Sequence, residues 1–162
     1  MKLFERIKGV FLGVFLAIRD RFWIYRYKKY IRWVEKILEL PEHKFGPITP
    51  DDSPSVIILR WEGRVEQVRY LLPSNVPKIL HPLRSAIHEV RHVIQAERGV
   101  PLLTEKDLQR FPELSRALEK IKETEEKDAI ACAIIGAALL RRGYIEKFKQ
   151  LMLESRVPVP SK

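Results

Sequence analysis

Residues His81 to Gly99 read HPLRSAIHEVRHVIQAERG, and the fold turns on how this stretch is read. Leu83, Ala86, Ile87, Val90, Val93 and Ile94 recur at the spacing of one helical face. Pro82 suits a first helical turn, and Gly99 followed by Pro101 supplies a stop signal. The stretch is therefore expected to be one amphipathic helix. His88, Glu89 and His92 within it spell H-E-x-x-H. Residues four apart on a helix lie one above the other, so both imidazoles can aim at one point. Neutral imidazole is a common zinc ligand, and a catalytic zinc has three protein ligands with one position left open. Glu89 lies about 100° round the helix from His88, where it can take a proton from a water at the metal instead of binding the metal. The plainer reading of the same residues is a surface helix with two histidines, one of them paired with Glu89.

Around the motif, Ala86, Val90, Val93 and Ile94 are uncharged. In this the chain resembles the zincin metallopeptidases, whose extended signature favours uncharged residues there. Arg91 departs from that pattern and is expected to point to solvent.

A third ligand is expected downstream. Glu123 to Gly143 reads ETEEKDAIACAIIGAALLRRG, with acids at the start, where the helix dipole favours them, and Arg141 and Arg142 at the end. Its small residues allow close approach to another helix. At about 100° per residue, Glu126 shares a face with Ala129, Ile130, Ala133, Ala137 and Leu140, so it is the carboxylate turned most toward the core. Glu125 and Glu123 remain open. The resemblance narrows to the gluzincin branch, whose third ligand is a glutamate on a later helix, often as E-x-x-A with further small residues. Glu126, Ala129, Cys132 and Ala133 fit that frame. The resemblance implies a metal site of His88, His92 and Glu126, Zn²⁺ as the cofactor and Glu89 as the catalytic base. The acid that some gluzincins place four residues after the ligand is absent, because residue 130 is Ile.

Upstream, residues 1–40 carry ten Lys and Arg against four Asp and Glu, six of the nine net positive charges in a chain of 162 residues. Val10 to Ile18, VFLGVFLAI, is almost wholly apolar, but it is too short for a bilayer, which needs about 20 residues, and no cleavage site follows it. Trp23, Tyr27, Tyr30, Val34 and Ile37 then form an amphipathic stripe. A helix over 21–40 is expected to pack on the core, with the first 18 residues the better candidates for an anionic membrane surface. Residues 43–54 have loop composition, and His43 is expected at the surface. Residues 55–61 and 64–72 read as a hairpin around Glu62-Gly63, the second strand being the exposed edge. Zincins bind substrate along such an edge. Short helices are expected at 104–110 and 112–122, the first opened by Thr104 and Asp107.

The predicted fold class is α+β: a mostly helical, zincin-like domain with a small antiparallel hairpin, a histidine helix and a glutamate helix. The expected organisation is a basic helical arm over 1–42, a catalytic domain over 43–156 and an extended tail over 157–162. The order resembles the minigluzincins, some of which lay a terminal tail through the cleft. Cys132, the one cysteine, is expected to be a buried small hydrophobe, so no intrachain disulfide forms. One asparagine and 31% charged residues are a thermophile-like composition. The expected activity is zinc-dependent hydrolysis of peptide or protein substrates, in the cytoplasm or at a membrane surface, with no specific nucleic acid partner. Tyr144 and Arg91 are candidates to stabilise the oxyanion. An inactive metal-binding zincin fold, and a basic membrane-associated helical protein with a coincidental HExxH, remain as rivals.

Overall fold

A computed structural model describes residues 2–77 and 80–159, with side chains from residue 7 onward. The architecture is α+β and mostly helical. Its elements are α1 (Lys2–Ile37), β1 (Lys44–Thr49), β2 (Ser55–Trp61), β3 (Arg64–Pro73), α2 (Pro82–Arg98), α3 (Glu105–Leu108), α4 (Pro112–Leu118), α5 (Thr124–Arg141) and α6 (Ile145–Glu154). Helix α2 is the hub. It packs on α1, α5 and α6, and the sheet lies against it through β2 and β3.

The hydrophobic pattern explains the packing. Helix α1 buries Trp23, Tyr27, Ile31 and Val34, with Leu38 just past its end, a line turned slightly from the predicted stripe, so that Tyr30 and Ile37 are only half-buried. Helix α2 buries its whole predicted apolar face. Ala129, Ala131, Cys132, Ala133 and Ala137 of α5 are buried, and their small side chains let α5 close on α2. A Cβ on Gly136 would come within 2.9 Å of the Phe148 ring and 3.4 Å of Ile87, so glycine is what lets α2, α5 and α6 meet there. Helix α6 was not foreseen; it buries Phe148, Leu151 and Met152 against that junction.

The sheet is mixed, with strand order β1-β3-β2. The predicted hairpin is present as β2 and β3, joined through Glu62 and Gly63 at φ of 49° and 78°. Two consecutive positive φ values are the backbone of a turn that matches strand twist. Two expectations are corrected. Residues 44–49 are a strand and not loop, paired parallel to β3 with a register shift between Phe45 and Ile48 that accommodates Pro47. Strand β3 is therefore central, and the edge that borders α2 belongs to β2. The charged Arg64, Glu66 and Arg69 reported an exposed face, not an edge. A Cβ on Gly46 would lie 2.8 Å from the end of the Leu71 side chain, so a larger residue there would make that leucine shift.

His43 is also corrected, from surface to buried. Its Nδ1 lies 2.8 Å from Glu35 of α1 and its Nε2 2.9 Å from Glu97 of α2. Tyr70 of β3 donates to the same Glu35 oxygen at 3.1 Å. The Glu35 bond, with help from Glu97 and against the opposing effect of burial, raises the His43 imidazole above its usual 6.5. A base whose folded-state pKa is raised gives stability that is complete below its unfolded value and lost as pH rises through the folded one. Wild type is therefore expected to lose more stability than His43→Gln between mildly acidic and alkaline pH. Denaturant midpoints measured across that range check this; parallel pH profiles would show that the His43 bridge carries no proton linkage.

Candidate metal centre

The motif helix is fixed at both ends. The His81 ring accepts from the Leu83 amide at 3.2 Å, and Pro82 opens the first turn. Gly99 closes the helix at φ 58°, where glycine carries no Cβ penalty. One turn apart in the middle, His88 and His92 stand half-buried, their rings 4.8 Å apart and nearly perpendicular. Their Nε2 atoms are 3.2 Å from each other. Glu126, in the first turn of α5, reaches both: Oε1 lies 3.3 Å from His88 Nε2 and Oε2 3.1 Å from His92 Nε2. One donor atom from each of the three falls within 4.8 Å of the others. His88, His92 and Glu126 thus form a group that could hold a metal ion. Of the three carboxylates open from the sequence, Glu126 joins the histidines, Glu125 lines the groove beside them, and Glu123 sits at the N-cap of α5.

Hydrogen bonding fixes which nitrogen of His92 faces this point. Gln95 donates its amide N–H to Asp128 Oδ2 at 2.6 Å, and a carboxylate only accepts. The Gln95 oxygen is thereby turned to His92 Nδ1, 3.0 Å away, so Nδ1 carries the hydrogen. In the neutral ring Nε2 then presents a lone pair to the Glu126 carboxylate. Two acceptors at 3.1 Å repel unless a cation or a second ring proton lies between them. A cation at the point where both imidazoles and the carboxylate converge resolves all three contacts, and a donor set of two imidazoles and one carboxylate suits a borderline metal such as Zn²⁺. The donors present therefore fit the metal.

Arg91 corrects a further expectation. It is 0% exposed and points away from solvent. Its Nε and Nη2 clamp Asp128 at 2.6 and 3.1 Å, and it donates to the Met152 carbonyl at 2.6 Å and the Pro101 carbonyl at 3.1 Å. It also reaches Ser155 Oγ at 2.8 Å, whose hydroxyl is bonded to Pro101. Asp128 accepts one more bond, from the Leu103 amide at 2.7 Å. A continuous path thus runs from Arg91 through Asp128 and Gln95 to His92. The sequence reading passed over Gln95 and Asp128, although Gln95 lies one turn past the motif and Asp128 two residues past Glu126. That spacing is the signal that could have found them.

Glu89 is 5% exposed, with Oε1 3.9 Å from His88 Nε2. Burial pushes its carboxyl up to about 8, with the Glu126 charge adding to the rise and His88 opposing it. For His88, burial pulls the imidazole down, but the Glu126 bond and the charges of Glu89 and Glu126 prevail and leave it raised. The His88 bond holds Glu126 below the ordinary carboxylate value, against burial. The Tyr27 hydroxyl, buried and without a hydrogen-bond partner among the described residues, is raised well above its usual value by burial and then by Glu89 and Glu35. Cys132 is buried, and desolvation pushes its thiol up to about 12, which suits an inert core residue.

A groove of about 440 Å³ runs over the group, walled by Val56, Ile58 and Arg60 of β2 on one side and by Glu125 and Glu126 on the other. A second lobe of about 400 Å³ shares His88, Glu89 and Glu126, and is lined by Arg84, Ile130, Ala133 and Ile134. Arg91 and Tyr144 line neither lobe; Tyr144 borders a separate groove with Phe111, Pro158 and Val159. The described part of the tail therefore lies away from the metal group, and residues 160–162 fall outside the described residues.

No protein-family model matches this sequence, and no curated protein or solved structure is significantly similar to it. If Gln95 fixes the His92 tautomer, Gln95→Ala should weaken zinc binding by about 10–100-fold. Competition against a chromogenic chelator measures this, and unchanged affinity would remove Gln95 from the site.

Proposed function

We propose that this chain is a zinc-dependent metallopeptidase of gluzincin type. One observation carries the reading: two histidines of an HExxH helix and a glutamate of a later helix converge on one point, beside a buried carboxylate, in a groove bordered by a strand edge. His88, His92 and Glu126 would hold Zn²⁺, which when bound supplies a Lewis acid and lowers the pKa of water.

The chain's own residues account for the remaining requirements of hydrolysis. Strand β2 has β3 on one side only, so its other edge offers backbone N–H and C=O groups to an extended peptide. Val56, Ile58 and Arg60 alternate along it toward the groove, where they would meet alternate substrate side chains. The Glu89 carboxyl stands next to the point where the ligand atoms meet, and a divalent cation held there would favour its ionised form against the effect of burial. It takes a proton from the attacking water as oxygen bonds to the scissile carbonyl carbon. The same carboxyl returns that proton to the amine nitrogen as the C–N bond breaks. Arg60 and Arg84 are the cations that line the two lobes, and they replace Arg91 and Tyr144 as candidates to meet the developing oxyanion. Arg91, the residue that departs from the zincin pattern, is committed to its ion pair with Asp128 and lines neither lobe of the groove.

The test is Glu89→Gln, which is nearly isosteric and removes the base while sparing the ligands. The variant should keep its zinc and lose about 10²–10⁴-fold in kcat on a peptide library that wild type cleaves. Hydrolysis at the wild-type rate, or a zinc-loaded wild type that cleaves nothing in the library, would overturn the peptidase reading.

A further inference from the structure

Helix α1 carries two apolar lines on opposite sides. At about 100° per residue, the core line of Trp23, Tyr27, Ile31, Val34 and Leu38 occupies one arc. Ile7, Phe11, Val14, Phe15, Ile18, Phe22 and Tyr25 occupy another, about 100° wide and centred roughly opposite. Every member of this second line is exposed, Phe11 at 72% and Phe15 at 65%. Near this end α1 is tied to the body by Arg19, which donates to the Val76 carbonyl at 2.9 Å, and by Trp23, which donates to the Leu80 carbonyl at 3.0 Å. The outward seam is about 27 Å long, at about 1.5 Å per residue. Exposed apolar seams of this size mark interaction surfaces.

Charge chooses the occupant. Between residues 7 and 32 there are seven Lys and Arg and one acid, Asp20, which is held by Arg19. Arg21 and Arg26 flank the seam, and Lys29 and Lys36 continue its line toward the C-terminus, joined by the exposed Trp33. Pairing the seam with a second copy would set cation against cation, with no acid positioned to answer them. An anionic bilayer answers both features, taking the Phe-rich line into the acyl boundary and the cations among the headgroups. No helix among the described residues is long and apolar enough to cross a membrane, so the helix would lie along the surface.

We infer that the outward face of α1, from Ile7 to Tyr25, docks on an anionic phospholipid surface while the inward face of the same helix holds the groove-bearing body. This assignment is independent of what the groove does. The test is flotation of the full chain with vesicles of phosphatidylcholine, with and without phosphatidylglycerol. Wild type should float with the anionic vesicles, more weakly with the neutral ones, and less as salt rises. The triple variant Phe11→Ser, Phe15→Ser, Ile18→Ser should bind at least about tenfold more weakly at a nearly unchanged melting temperature, because these side chains are mostly exposed. Arg21→Glu with Lys29→Glu should erase the preference for anionic over neutral vesicles. Wild type that stays unbound, or a triple variant that floats as well as wild type, overturns the assignment. A dimer that the triple variant dissolves, in a protein that ignores vesicles, gives the seam to a second copy and overturns it equally.

Discussion

The buried pair of Arg91 and Asp128 is the constraint on which the rest of the structure depends. Two charges taken out of water are tolerated only when every remaining donor and acceptor is met. Here Arg91 meets a carboxylate, two backbone carbonyls and a hydroxyl, and Asp128 meets Arg91, Gln95 and the Leu103 amide. The pair joins α2 to α5, to the segment after α2 and to the end of α6. Its position is three residues from His88, one from His92 and two from Glu126, so the bond that locks the helices together also sets the ligand side chains at hydrogen-bonding distance.

Helix α1 solves a different problem. Its C-terminal half completes the core over α2, while its N-terminal half carries a second apolar line turned outward. Averaged over the whole helix the two lines cancel, so α1 is not amphipathic as a unit. The same rod can therefore hold the body on one side and present an interaction face on the other. Residues 23–25 lie on both lines at once, with Trp23 inward and Tyr25 outward.

Much of the site was legible because its signals are local. The spacing of His88 and His92, the stop at Gly99, and the apolar face that selects Glu126 all need only helical periodicity. Arg91 was misread and Asp128 passed over because each, taken alone, looks ordinary: a surface cation and an acid near the start of a helix. Only the crossing of α2 and α5 shows that they meet. Strand β1 was hidden for a similar reason. Gly46 and Pro47 give it loop composition, and its partner is a parallel strand more than twenty residues away. His43 could not be placed until Glu35 and Glu97 came together from two helices. The central position of β3 depends on β1, so the edge bordering the groove was assigned to the wrong strand.

The measurement that bears most directly on the central claim is elemental analysis of purified wild type, His88→Ala and Glu126→Gln. Wild type should hold about one zinc per chain, lost or sharply reduced in both variants while the fold persists. Wild type that stays free of metal after zinc is supplied, or a Glu126→Gln protein that binds zinc as wild type does, would contradict that claim.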